Sequence, residues 1–139
     1  MLSLVLDCSV AMAWCFEDEA RPATDAILDR VAEEGAQVPS LWFLEVGNVL
    51  IVAERRGRIE QAQVGEFLGL LGSLPIATDR SEASIAFVSV LPLARQLGLS
   101  CYDAAYLELA QRTGVGLATL DERLSRAAGL IGVDLLLGL

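Results

Sequence analysis

Four acidic side chains stand where a carboxylate is costly or conspicuous. Asp7 closes the apolar run Leu2–Leu6, and Asp121 closes Val115–Leu120. Asp103 follows Ser100 by three residues in a mostly apolar stretch. Glu45 is the most telling. Between Leu41 and Ala53 apolar residues occupy almost every face of a helix, which predicts a helix buried on most sides. Glu45 and Asn48 lie one turn apart on a shared face of it. A buried ionised carboxylate is costly unless it has a cation or strong donors beside it. The 139 residues contain 10 Lys+Arg against 19 Asp+Glu, a formal net charge of −9. Every basic residue is Arg, so the partner is an Arg or a metal ion. Hard divalent cations such as Mg²⁺ take oxygen ligands and serve several carboxylates at once.

Each acid also has a plainer reading. Asp7 and Asp121 can cap the helices that follow them, and Ser100-x-x-Asp103 resembles a capping box. The absence of His and Lys narrows the chemistry further. It excludes Ser-His-Asp and Cys-His machinery, an imidazole base, Schiff-base chemistry and a Walker-type phosphate lysine. Carboxylates, hydroxyls, thiols, Arg and metal ions remain. The acidic balance argues against generic coating of nucleic acid, which needs a basic face.

The elements that must position these acids alternate. Strands are predicted at Leu2–Leu6, Gln37-Val38, Pro75–Thr78, Val115–Leu120 and Val133–Leu137. Helices are predicted over 9–16, 20–34, 41–56 (capped by Ser40), 59–71, 81–97 (capped by Ser81 and bent or broken at Pro92), 101–112 (begun by Ser100) and 121–128. Single strands separated by one or two helices argue for a parallel sheet covered by helices on both faces, in one domain over 1–139. Sites in such sheets form beyond the carboxyl ends of the strands. Asp7 and Asp121 then share one edge, and topology brings Glu45 and Asp103 toward it.

Hydrophobic residues make up 54% of the chain, a surplus that points to a covered partner surface or a second copy. Leu41–Ala53 with Val64, Phe67, Leu68 and Leu71 carries much of it. No apolar run reaches the ~18 uninterrupted residues of a membrane span. Met1–Leu6 lacks the basic region of a secretory signal or transit peptide, so a cytoplasmic protein is expected. Cys8, Cys15 and Cys101, odd in number and without CxxC spacing, read as reduced, buried thiols. Trp14 and Trp42 read as core. The Arg55, Arg56 and Arg58 cluster reads mainly as a solvated face, whereas Arg123 and Arg126 border Asp121 and are candidates for gripping phosphate.

The whole chain resembles the PIN-domain ribonucleases and, within them, the VapC-type toxins of type II toxin–antitoxin pairs. Four segments carry the resemblance: Leu4-Val-Leu-Asp7-Cys-Ser9, Glu45-Val-Gly-Asn48, Leu97-Gly-Leu-Ser-Cys-Tyr102-Asp103-Ala-Ala-Tyr106, and Thr119-Leu-Asp121. The resemblance implies a parallel sheet in the order 3-2-1-4-5 flanked by helices. It implies Asp7, Glu45, Asp103 and Asp121 as the acidic quartet. Asp7 and Asp103 would be the most direct ligands of Mg²⁺ or Mn²⁺, with Glu45 and Asp121 helping directly or through water. Ser9, Asn48 and Thr119 would orient the carboxylates or bound water. It implies a homodimer held inactive by a cognate antitoxin.

Such a pocket is suited to metal-dependent phosphodiester hydrolysis of RNA, a route that needs neither His nor Lys. Two other readings stand beside it. One is a PIN-like module that binds RNA or protein without cutting. The other is a phosphotransfer protein with Asp at its strand ends, although such proteins commonly rely on a Lys.

Overall fold

Leu4, Val5 and Leu6 are fully buried and form β1 (Leu4–Leu6), the centre of the sheet. An apolar residue at every position, rather than at alternate ones, is what a strand covered on both faces requires. β1 pairs in parallel with β2 (Ala36–Pro39) on one side and with β4 (Gly116–Ala118) on the other. β3 (Ile76–Asp79) pairs in parallel with β2, so the order is β3-β2-β1-β4. The computed structural model describes residues 4–80 and 82–137. Leu2 and Ser3 of the predicted first strand, and the predicted cap Ser81, lie outside the described residues.

The predicted fifth strand, Val133–Leu137, is reduced to one parallel bridge between Leu117 and Leu135. Leu117 N donates to Asp134 O at 2.8 Å, and Leu136 N donates to Leu117 O at 3.0 Å. The bridge takes the fifth place of the expected order, and the sheet proper has four strands. Gly116 permits this approach, because a Cβ there would lie 2.7 Å from Leu136 Cδ2.

Among the described residues seven α-helices connect and cover the strands: α1 (Cys8–Cys15), α2 (Pro22–Glu34), α3 (Trp42–Arg55), α4 (Gln61–Ser73), α5 (Leu91–Leu97), α6 (Cys101–Thr113) and α7 (Glu122–Leu130). α6 lies against β1, β2 and β4, with α5 and α7 beside it, while α1 packs on α2 and α3. α2 starts later than predicted, after a 3₁₀ turn at Glu17–Glu19. Pro22 in its first turn supplies a preset φ where no N–H is needed. Ser40 does not cap α3; Leu41 occupies that position without a side-chain bond. The single helix predicted through Leu97 is a π-wound turn, Ile85–Val90, followed by α5. Pro92 sits in the first turn of α5, just after the winding changes from π to α.

α3 departs most from expectation. Its buried stripe is Trp42, Val46, Leu50 and Ala53, one helical face. Phe43, Leu44 and Ile51 are exposed, Leu44 at 80%. Apolar composition all round therefore marks surface here, not enclosure. Trp42 is core, as expected, and Trp14 is half-buried with its indole N–H donating to Thr24 O at 2.8 Å. Of the thiols, Cys8 is buried, Cys15 half-buried and Cys101 exposed, so the expectation of burial fails for Cys101. Burial, and then the charges of Asp7 and Glu45, push the Cys8 thiol up to about 12, which keeps it protonated and inert. Among the described residues no single helix is long and apolar enough to cross a membrane.

One ion-pair cluster ties α6 to β3. Arg112 Nε donates to Glu108 Oε1 at 2.7 Å, and its Nη2 donates to Asp79 Oδ2 at 2.7 Å. Glu108 is buried. Arg112→Ala leaves that carboxylate without its cation and is expected to cost about 2 kcal/mol, less than for a fully buried pair because Arg112 is partly solvated. Adding Glu108→Gln should restore part of the loss in urea unfolding. Purely additive effects would show that the two side chains are not coupled.

Candidate functional site

Asp7 stands immediately after β1 at the N-cap position of α1, yet its side chain makes no cap bond. Its Oδ2 instead accepts from the Ser9 hydroxyl at 2.6 Å and from the Thr119 hydroxyl at 2.7 Å. The two donors come from α1 and from the end of β4, so the junction of β1 with β4 builds this cradle. Ser9 Oγ also accepts from Leu120 N at 2.9 Å, and Thr119 Oγ1 accepts from Asp121 N at 3.0 Å. Among the described residues nothing donates to Asp7 Oδ1. Asp7 is 7% exposed. Burial raises its carboxyl above the ordinary value, the two hydroxyls pull it back, and the charges of Asp121 and Asp103 raise it further.

The other three acids surround this point. Glu45, half-buried in the first turn of α3, accepts a hydrogen bond from the Tyr106 hydroxyl through Oε1. Its carboxyl is raised by burial, lowered by that bond, and raised again by Asp7 and Asp103. Asp103 sits in the first turn of α6, where Ser100 Oγ accepts from its backbone N at 3.1 Å. Burial raises its carboxyl, Asp121 adds to this, and the Ser100 hydroxyl and Arg123 oppose it. Asp121 is exposed and does cap its helix: its Oδ1 accepts from Leu124 N at 3.0 Å. The capping reading therefore holds for Asp121 and fails for Asp7.

Of the other residues singled out, Ser9 and Thr119 reach Asp7. Asn48 is exposed and bonds to none of the acids. Arg123 donates to Gly98 O at 3.1 Å and lies near enough to Asp103 to stabilise its charge. Arg126 is exposed. Arg58 is committed elsewhere, to Asp18 and Glu19, and its guanidinium lies 3.8 Å over the Phe16 ring. Tyr106 was not singled out for the site. The signal was a second phenol in the Cys101–Ala110 stretch, one turn after Asp103.

Three of the four carboxyls are raised by burial and by one another, and among the described residues none of the four is in an ion pair. As the side chains stand, no three His, Cys, Asp or Glu groups among the described residues are drawn together as a ligand set. Like charges keep apart. The donor set is nevertheless all hard oxygen, and the free Oδ1 of Asp7 lies on a carboxylate fixed through its other oxygen. In its chemistry this donor set suits a hard divalent cation.

A parallel α/β sheet with unpaired acids gathered beyond its carboxyl edge defines a class of acid-pocket proteins. Within it, a family model described as PIN domain matches residues 4–130, and the chain belongs to that family. Its relatives are VapC proteins. It is 34% identical over 99 residues to exonuclease VapC9 of Pyrobaculum aerophilum, covering 70% of this chain and 71% of that one. It is 31% identical over 102 residues to ribonuclease VapC3 of Mycobacterium tuberculosis, covering 73% and 72%. A solved Pyrobaculum aerophilum structure matches with a TM-score of 0.72 and 25% identity over 97% of this chain and 84% of that one. A toxin–antitoxin complex from Klebsiella pneumoniae has a chain of the same fold, with a TM-score of 0.63 and 16% identity over 99% of both.

Proposed function

We propose that the chain is a Mg²⁺- or Mn²⁺-dependent endoribonuclease, the cytoplasmic toxin of a toxin–antitoxin pair. The observation that carries this reading is the buried, hydroxyl-cradled Asp7 surrounded by three acids without an ion pair. The nuclease names of its relatives support it. Asp7 and Asp103 hold the cation most directly, with Glu45 and Asp121 completing the oxygen set. When bound, the cation lowers the pKa of a water and neutralises charge on the scissile phosphate. Ser9 and Thr119 keep Asp7 in one orientation, and Tyr106 does the same for Glu45. Asn48 lies on the α3 surface where it is available to bound water or RNA. Arg123 and Arg126, on α7 beside Asp121, supply guanidinium donors to phosphate.

The test is cleavage of RNA by the purified chain. Activity should require Mg²⁺ or Mn²⁺, stop on chelation, and vanish in Asp103→Asn while the fold persists. Cleavage of a circular RNA separates endonuclease from exonuclease action. Full activity of Asp103→Asn, or in chelator, overturns the proposal. A protein that binds RNA without cutting it under any divalent metal supports the binding-module reading instead.

Tyr106→Phe removes one donor and no packing volume. Cleavage is expected to fall roughly 10- to 100-fold, the usual cost of losing a group that orients a ligand. Stability should drop by only about 1 kcal/mol. A Mg²⁺ titration compared with wild type checks it: unchanged affinity and rate would show that Glu45 needs no orienting.

The exposed Phe43 and Leu44 of α3 and Leu68 of α4 supply the apolar surface for the antitoxin or a second copy. At tens of micromolar the chain is expected to sediment as a dimer. Leu44→Glu should weaken antitoxin binding or dimerisation without changing the fold. A strictly monomeric wild type defeats the homodimer.

A further inference from the structure

The guanidinium of Arg21 is exposed and in no ion pair among the described residues, although the backbone that carries it is fixed. Arg21 N donates to Thr24 Oγ1 at 3.2 Å, and that hydroxyl donates to Arg21 O at 2.9 Å. Thr24 is fully buried, so the residue that ties Arg21 down belongs to the core. Pro22 follows and holds Arg21 extended, at φ −139° and ψ 150°. Topology carries this point to the carboxyl edge of the sheet. β2 runs parallel to β1 and starts at Ala36, just after α2, so α2 descends from that edge. Its 13 residues span about 20 Å.

A recess of about 390 Å³ opens there, and Arg21 lines it together with Ser9, Asp18, Glu19, Leu120 and Asp121. Ser9 and Asp121 belong to the acidic site, so the recess is a side arm of that site. Among the described residues no aromatic ring lines it, so a base has nothing to stack on. At a net charge of −9 the chain as a whole repels a polyanion, and a phosphate is held only where the nearby acids are already engaged. Here they are. Arg58 Nη2 donates to both carboxylate oxygens of Asp18, at 2.9 and 3.0 Å, and to Glu19 Oε2 at 2.8 Å. Asp121 uses Oδ1 to cap α7 and is an oxygen donor for the proposed cation. Arg21 remains as the one basic residue on these walls, with its donors free. A guanidinium presents them as a fork that matches two phosphate oxygens.

We propose that Arg21 is a substrate-binding residue, which in this recess holds the phosphodiester next to the scissile one and so fixes the path of the RNA strand across the acids. The proposal rests on the nuclease reading given above. It adds a contact from α2, an element separate from the α7 that carries Arg123 and Arg126.

The experiment uses the full chain and single-stranded oligoribonucleotides in which one linkage at a time is a neutral methylphosphonate. Cleavage with Mg²⁺ gives KM and kcat. On wild type, neutralising one linkage beside the cut should raise KM roughly 10- to 100-fold, the loss expected for a charge-assisted pair. Arg21→Gln should raise KM by a similar factor, with kcat changed less. The methylphosphonate at that linkage should then cost nothing further, while the other linkages keep their effects. Arg21→Lys keeps the charge and loses the fork, and should recover part of the affinity. Binding is read in chelator, where nothing is cut, on Asp121→Asn, whose amide oxygen still caps α7. There, adding Arg21→Gln should reduce the slope of log affinity against log salt by about 0.7, the value for one phosphate on a single strand. Melting curves check that the fold is kept. Unchanged KM and salt slope overturn the proposal while cleavage stands. So does a loss of affinity spread evenly over all linkages with the slope unchanged, which is what a merely structural role for Arg21 would give. If no divalent metal supports cleavage, yet the slope falls and one linkage loses its effect on binding, the nuclease reading falls and the phosphate contact stands.

Discussion

Asp7→Asn is expected to abolish metal-dependent RNA cleavage, by a factor on the order of 10³ or more, and to make the metal-free protein more stable. Both effects have one cause. Asp7 is the buried member of the quartet, and at neutral pH its charge is opposed by burial and by Asp103 and Asp121. An Asn side chain can accept the same bonds from Ser9 and Thr119 through its amide oxygen. Its NH₂ then replaces the oxygen that nothing donates to. The charge, and with it the cation, is lost; the cradle is kept. The gain should be about 1 kcal/mol or more at pH 7, of the size released when a functional site is relieved of strain. Cleavage assays with Mg²⁺ and thermal melts in chelator measure the two halves. A variant that is inactive and also less stable would show that Asp7 holds the fold together, and that its loss of activity says nothing about metal.

Metal-free wild-type protein should lose stability as pH rises from about 4 to neutrality, and Mg²⁺ should restore it. Asp7, Glu45 and Asp103 all have carboxyls raised in the fold, each mainly by burial. Below the ordinary carboxylate range they are neutral in both folded and unfolded chains and cost nothing. As pH rises past that range the unfolded chain ionises first, so stability falls until the raised folded values are passed. The contribution of these three groups is therefore the reverse of that of an acid whose carboxyl an ion pair holds low. A cation bound to the ionised quartet stabilises by mass action, about 2.7 kcal/mol at one hundred times its Kd. That is a rise of several degrees in Tm for a domain of this size. The rise should be large at pH 7.5, small at pH 4.5 where protons compete, and absent in Asp7→Asn. Equal shifts at both pH values, or in the variant, would assign the effect to general salt binding.

The sequence made some of this legible and hid the rest, for separable reasons. The strands around the site were readable because β1 is continuously apolar and closed by Asp7, while β2 ends at Pro39. The fifth strand was overread: Val133–Leu137 has the composition of a strand, but its partner offers it one bridge. α3 was misread as enclosed because an all-round apolar helix is buried only if neighbours exist on every side. Here they exist along Trp42, Val46, Leu50 and Ala53 alone. Asn48 shares a helical face with Glu45 and yet remains at the surface, bonded to none of the acids.

By itself the sequence determined the available chemistry. With no Lys and no His, it left carboxylates, hydroxyls, thiols, Arg and metal ions, and the end positions of Asp7 and Asp121 placed two carboxylates at one edge of a parallel sheet. Only the tertiary structure decided what each acid does there. Asp7 is turned away from its cap position by the hydroxyls of Ser9 and of Thr119, the latter 112 residues along the chain. Glu45 meets the Tyr106 phenol, 61 residues away. Periodicity and capping are local and can be read along the chain. A hydrogen bond across two packed elements depends on how those elements dock, and no spacing in the sequence records that.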